Sequence, residues 1–498
     1  MNIVKVENLP NTKISEIQRF FKKNQIKFVK IKPIQDKNFC YVIFREKSDE
    51  TDCLEKLKNK FWKNKLIKIG ACTYDSYAQE GNSVENLNEI MMNNVTPLHN
   101  VEYKNQLEIK KDILKNAFKD IDKDLRIKSN NLNSLEYIDY SNISIIASPV
   151  INGYRNKAIF SFYIDDNDEI VIGFRVSSFK NGYIQVSSAD KCKHISYNMK
   201  FIIKIIKENL GKHCISVFNP IGNSGRWNNV LIRESVCKKF IVQFNLKNAV
   251  DFDKNELIIM ESIKSSFIES NLDVTLLVEF QESWCSDSKS RTLTICGSGV
   301  IHEIILGLTF RVSPTSFLQI NTQAGELLYK EIERMGKVNP DTVVLDLCCG
   351  TGTIGIILSS KCKKVIGIET NSEAINDAKE NCIINNVNNC EYYCDRVENA
   401  IWSILKENVN NKLLVILDPP RAGLNNKLIQ VLRNNDKINQ IIYVSCKLSG
   451  AKQNLVSLMS LISNKFKNKP FTLKEITGVD LFPHTNQIET VMLFERCI

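Results

Sequence analysis

Hydrophobic and polar positions change their period twice along this chain, and the changes divide it. Between Met1 and Gly70 the alternating runs IVKVENL, KFVKIKPI, NFCYVIF and LIKI are strand-like, while ISEIQRFFKKN and DETDCLEKLKNK carry apolar positions at helical spacing. The predicted order is β-α-β-β-α-β, a ferredoxin-like unit over residues 1–73. From Tyr74 to Asn94 a polar mixture with little apolar periodicity predicts a linker, 74–95. KAIFSFYI, EIVIGFRV and KFIVQFNL return to the two-residue period between Ile143 and Phe310, which predicts a central, mostly β domain within 96–320. Past Asp341 the rhythm becomes strand, turn, helix: DTVVLDL, CCGTGTIG, VIGIE, SEAINDAKENCIINN, LLVILDPP and QIIYVSC, closing with FTLKEI and TVMLFER. That alternation predicts a doubly wound sheet over 321–498, seven-stranded and mixed because its last two strands form a hairpin. The whole reads as a multidomain α/β chain.

Length and composition agree: 498 residues, 43% of them hydrophobic, can bury several cores. Charge adds something new. Of a net +10, the stretch from Met1 to Gly70 holds 17 Lys and Arg against 8 Asp and Glu, a net of +9. A basic module on a near-neutral body is what a polyanion such as RNA attracts. Sixteen cysteines scattered from Cys40 to Cys497 read as reduced thiols rather than a disulfide framework. The chain starts without an apolar leader and has no run long enough to span a bilayer, so the expectation is a cytoplasmic or nuclear protein, working as a monomer and off the membrane. No metal is expected. Cys348 with Cys349, and Cys390 with Cys394, lack further ligands at suitable spacing, and His484 beside Pro483 reads as a hydrogen-bonding residue.

Candidate chemistry gathers where the predicted parallel strands end. Gly350 and Gly352 let the backbone turn tightly after the first strand, and Glu369 ends the second strand 23 residues after Asp346, placed to accept from ribose hydroxyls. A glycine turn with such an acid does not separate a dinucleotide from S-adenosylmethionine. Asp418-Pro419-Pro420-Arg421 ends the fourth strand, where a methyltransferase of this fold would join donor and acceptor; Pro-Pro is also a plain strand stop. Cys446 follows the fifth strand instead of lying inside it, so its thiol is a candidate nucleophile. If the final strand runs antiparallel beside the fifth, Glu489, which opens it, reaches the same rim although 43 residues separate the two.

The N-terminal unit resembles the RNA recognition motif. Lys37-Asn38-Phe39-Cys40-Tyr41-Val42-Ile43-Phe44 fits that module's base-stacking strand, with Phe39 and Tyr41 on one face, and Lys5 stands where the family offers another aromatic. Lys5, Lys37, Phe39 and Tyr41 are therefore the expected RNA contacts.

Farther on, FRVSPTSFLQIN, VLDLCCGTGTIG, VIGIETN, LDPPRAGL, YVSC and LFPHTNQIET, in this order from Phe310 to Thr490, closely resemble the tRNA (uracil-5-)-methyltransferase family. GYRNKAIFSF and TPLHNVEYKNQLEIK extend the likeness toward the family's eukaryotic branch, with its N-terminal RNA recognition motif. The resemblance implies a Rossmann-like class I methyltransferase domain and S-adenosylmethionine as cofactor, contacted by Gln319, Cys348, Thr353, Glu369 and Asp418. It also implies Cys446 as nucleophile at uracil C6, Glu489 as acceptor of the C5 proton, and the T-loop uridine of tRNA as target, flipped from its stack. Lys447-Leu448 stands where the family commonly has Asn-Pro.

Rival readings have different signatures. An RNA cytosine-5 methyltransferase usually carries a second cysteine after its Asp-Pro-Pro, and Arg421 is there instead. An rRNA uridine methyltransferase with an iron-sulfur cluster needs ligand cysteines with no counterpart here. A tRNA-folding protein with degenerate catalysis would have no need of Cys446, Glu489, Glu369 and Asp418 together.

Overall fold

A computed structural model describes residues 2–9, 14–33, 39–58, 60–63, 65–72, 84–128, 139–140, 142–165, 167–176, 185–220, 222–282, 290–408 and 411–496. The chain forms two compact units, Met1–Asn94 with Gly173–Ser188, and Val95–Ile172 with Ala189–Ile498.

In the first unit the described strands make a four-stranded antiparallel sheet in the order Lys30–Pro33, Phe39–Phe44, Asn2–Glu7, Lys68–Cys72. Helices Ile14–Lys23 and Lys47–Leu57 complete the expected β-α-β-β-α-β order, and a small ribbon, Phe61–Trp62 with Lys65–Leu66, is added before the last strand. Alternation decides the faces: Val4, Val6, Cys40, Val42 and Phe44 join Ile17, Phe21, Cys53 and Leu57 in one core. Lys5, paired with Tyr41, lies on the other face. Tyr41, expected as an RNA contact, is 3% exposed, and Phe39 is partly covered with Lys5 Nζ 4.6 Å from its ring centroid. Lys37 lies outside the described residues.

The stretch read as a linker, 74–95, contains a helix, Val84–Val95. Leu87, Ile90, Met91 and Val95 keep helical spacing, which the surrounding Asn and Glu obscured, and Met91 and Met92 are buried.

Two sheets organise the second unit. Strands Lys157–Ile164, Trp227–Glu234, Lys239–Lys247, Asp273–Gln281 and Ser290–Cys296 lie side by side in that order. Lys239–Lys247 and Asp273–Gln281 are parallel, which requires a crossover, and helix Lys254–Glu269 supplies it behind an Asp253/Glu256 capping box. With Tyr197–Leu210 packed beside that helix, the domain expected to be mostly β has a helical layer as well.

The second sheet has the order Cys390–Cys394, Lys364–Glu369, Thr342–Leu347, Lys412–Leu417, Ile438–Ser445, Glu489–Arg496, Phe471–Val479, Ser144–Ile146. The first five are parallel and Glu489–Arg496 runs antiparallel between Ile438–Ser445 and Phe471–Val479. Seven strands were expected. Among the described residues there is an eighth, Ser144–Ile146, added parallel at the edge from far upstream; three residues are too short for a period to reveal. Both faces are covered. Val343, Leu345, Val415 and Leu417 pack on the side of helix Leu448–Met459, and Val344, Leu414, Ile416 and Ile442 on the side of helix Thr322–Gly336. Helix Tyr103–Lys128 adds Leu114, Phe118, Ile121 and Leu125 to the first of these cores.

Candidate active site

A cavity of about 760 Å³ opens at the carboxyl ends of the parallel strands, and Gln319, Cys348, Thr353, Glu369, Asp418, Cys446 and Glu489 all line it. Crossovers on both sides of a parallel sheet leave such a crevice where the strand order reverses, which brings the expected residues together from seven places in the chain.

The turn after Thr342–Leu347 shapes one end. Cys348, Gly350 and Gly352 all have positive φ. At Gly352 glycine is required twice over, since a Cβ would also lie 2.5 Å from Tyr392 Oη, whereas a Cβ on Gly350 would meet nothing within 4 Å. Beneath the turn Asp346 Oδ2 accepts from the Gly355 amide at 3.0 Å; burial pushes this carboxyl up to about 7. Glu369 accepts backbone N–H groups from Thr370 at 2.7 Å, Asn371 at 3.1 Å and Gly350 at 3.3 Å, so its carboxylate is fixed against the turn. Gln319 comes from the extended segment before helix Thr322–Gly336, where Asn156 donates to its carbonyl at 2.9 Å. Thr353, nearly buried, lies 3.1 Å from Thr351 through their hydroxyls.

The other end is built by the antiparallel pair. Ser445 faces Thr490 in register, so Cys446 and Glu489, one step further on each strand, flank the same rim. Burial pushes the half-buried Cys446 thiol up, Glu489 adds to the rise, and the Arg421 guanidinium opposes it. Glu489 is 3% exposed and is held well above the usual carboxylate range, first by burial and then by Asp418, with Arg421 again opposing. Asp418 itself is pushed up to about 6 by burial.

The loop before Glu489 is held by residues that sequence reasoning missed. Lys110 Nζ lies 2.6 Å from Asp480 Oδ1, both side chains fully buried, and also donates to the Phe482 carbonyl at 2.9 Å. Tyr103 donates to Asp480 at 3.0 Å, Tyr154 to the Pro483 carbonyl at 2.9 Å, and the His484 amide to Gln106 at 2.7 Å. His484, read as a hydrogen-bonding residue, also meets Asn152 at 2.9 Å and has φ +67°. A signal was present. The buried stripe Leu114, Phe118, Ile121, Leu125 continues backwards at four-residue steps to Lys110 and Gln106, polar residues where apolar ones belong. Arg155 and Arg421 also line the cleft. Both lay inside quoted motifs, but neither spacing nor residue type set them apart from surface cations.

The donor set suits S-adenosylmethionine. Ile354, Ile368, Val397 and Leu428 offer apolar wall to an adenine, and Glu369 a fixed acceptor for ribose hydroxyls. Among the described residues no group of three or more His, Cys, Asp and Glu could hold a metal, and no helix is long and apolar enough to cross a membrane.

Comparison with known proteins agrees with this geometry. A solved structure, the Pyrococcus abyssi tRNA (uracil-54, C5)-methyltransferase in complex with S-adenosyl-L-homocysteine, shares the fold, with a TM-score of 0.57 at 22% identity over 87% of this chain and 91% of that one. The tRNA (uracil-5-)-methyltransferase homolog A of Mus musculus is 30% identical over 99% of this chain and 84% of its own length. Homolog B of Danio rerio is 32% identical over 82% of this chain and 87% of its own. The family model for tRNA (uracil-5-)-methyltransferases matches residues 306–497, from the hairpin ahead of the cleft through the final strand that Glu489 opens. Likeness at 30% identity over 99% of this chain and 84% of such a relative, together with a family match across the strands that build the cleft, makes this chain a member of the tRNA (uracil-5-)-methyltransferase family, enzymes that draw their methyl group from S-adenosylmethionine.

Proposed function

We propose that the chain methylates carbon 5 of the T-loop uridine of tRNA through a covalent adduct on Cys446. Carbon 5 of uracil is a weak nucleophile. Addition of the Cys446 thiolate to C6 gives C5 enolate character, enough to attack an electrophilic methyl group. S-adenosylmethionine supplies that methyl as a sulfonium substituent. Glu489 then takes the C5 proton, and elimination frees Cys446 and restores the aromatic ring of the base.

The observation that carries this reading is the rim shared by Cys446 and Glu489, opposite Asp418 in one cleft. Burial favours the thiol and the carboxylic acid in the free protein; Arg421 and a bound cation push both toward the ionised forms that the steps need. Arg421 is thus placed to stabilise the thiolate as it forms.

The test is transfer of labelled methyl from S-adenosylmethionine to unmodified tRNA transcripts, followed by nucleoside analysis. 5-Methyluridine is expected with the natural T-loop and is lost when that one uridine is replaced by cytidine. 5-Methylcytidine in the altered transcript, or label elsewhere in the tRNA, contradicts the proposal.

A further inference from the structure

The basic N-terminal unit was expected to meet RNA through its sheet, where Tyr41 is 3% exposed. Its opposite side is open. Helix Ile14–Lys23 and the ribbon Phe61–Trp62/Lys65–Leu66 enclose a cavity of about 430 Å³. Phe20 and Trp62 form its floor, their rings stacked 4.5 Å apart at 16°. Phe61, on the rim, is 66% exposed. Around it stand Arg19, Lys23 and Lys60, all exposed, and Lys63, which pairs with Glu16 at 2.5 Å. Among the described residues, Glu16 is the one acid lining this cavity.

We infer that this helix–ribbon pocket is an RNA-contact site of the N-terminal unit. It takes an unpaired nucleotide whose base stacks on Phe61 and the Phe20–Trp62 floor while Arg19, Lys23 and Lys60 hold the flanking phosphates. An open aromatic ring next to cations is the combination that binds single-stranded nucleic acid: the ring stacks on any base and the cations neutralise the backbone. The Ile67 amide closes the ribbon on the Lys60 carbonyl at 2.9 Å. An acidic peptide would satisfy the charges, but a peptide anchor needs a deep apolar slot, and here the walls around two stacked rings are lysine and arginine. The inference deepens the proposed function and rests on tRNA being the substrate.

The experiment uses the full chain and an unmodified tRNA transcript, with dissociation constants read by anisotropy at two salt concentrations and methyl transfer measured at saturating tRNA. Phe61→Ala is expected to weaken tRNA binding about tenfold, Phe61→Tyr to stay within about twofold, and both to leave the saturated rate unchanged. Arg19→Gln with Lys60→Gln is expected to flatten the salt slope by about 1.4, at roughly 0.7 per lost contact on a single strand. Phe39→Ala, on the sheet face, is expected to do less than Phe61→Ala. Unchanged tRNA affinity in Phe61→Ala overturns the inference while wild-type methylation leaves the proposed function standing. Binding of a poly-glutamate probe that is lost in Phe61→Ala, with tRNA affinity intact, overturns it in favour of a protein partner. Absence of methylated tRNA with the wild type would sink the proposed function, and the Phe61 binding result would still decide this one.

Discussion

The two ends of the cleft hold their acids in different ways. At the glycine turn Glu369 accepts from three backbone N–H groups, which fix where its carboxylate stands before any ligand arrives. At the rim Asp418, Cys446 and Glu489 are desolvated, and burial raises the proton affinity of all three. A binding site gains from an acceptor held in one place. A reacting site needs groups that give up and take protons during one turnover, and burial with an opposing Arg421 provides that. Under the proposed function, the cleft thus has a binding half and a chemical half, distinguished by hydrogen bonding and burial rather than by residue type.

If the division is right, substitutions in the two halves should separate cleanly. The largest effect is expected from Cys446→Ala, which should reduce methyl transfer to tRNA by at least about 10⁴-fold while leaving S-adenosylmethionine affinity, read by calorimetry, nearly unchanged. Next comes the loop that holds Glu489. Lys110→Met strands the Asp480 carboxylate in a buried site and should cost about 3–5 kcal/mol of stability, seen as a lowered denaturation midpoint, with part of the loss recovered by adding Asp480→Asn. Glu369→Ala should raise the Kd for S-adenosylmethionine about 10–100-fold and leave tRNA binding within about twofold. A loss of tRNA affinity as large as the loss of cofactor affinity would blur the two halves. The smallest effect concerns pH. Asp346 and Asp418 titrate near 7 and 6 in the fold against an ordinary 3.8, so the stability tied to their protonated forms is complete below about pH 4 and disappears as pH rises through 6 and 7. The melting temperature of the cofactor-free protein should therefore fall by a few degrees between pH 5 and pH 8. A rise over that window would mean the acids are solvated.

What the sequence made legible follows the range of the interactions. The glycine turn, Glu369 and the Asp418-Pro419 strand end are local, and period with turn chemistry suffices to place them. Cys446 and Glu489 needed the topology of the last hairpin, which the strand pattern implies. Lys110 and Asp480 are 370 residues apart, and a lysine in a helix gives no sign of its partner until the helix is docked. The edge strand Ser144–Ile146 was invisible because so short a segment takes its form from the strand it joins. Tyr41 shows the same limit in reverse: alternation gave its face correctly, but not its 3% exposure.

The most direct test of the chemical half is to remove the proton acceptor and keep its shape. Glu489→Gln, incubated with tRNA and S-adenosylmethionine and examined by denaturing gel and intact mass, is predicted to accumulate a covalent protein–RNA adduct that carries the methyl group, since elimination needs the C5 proton to leave. The adduct should vanish when Cys446→Ala is added. Free methylated tRNA at the wild-type rate from Glu489→Gln, or an adduct that survives loss of Cys446, would contradict the roles given to both residues.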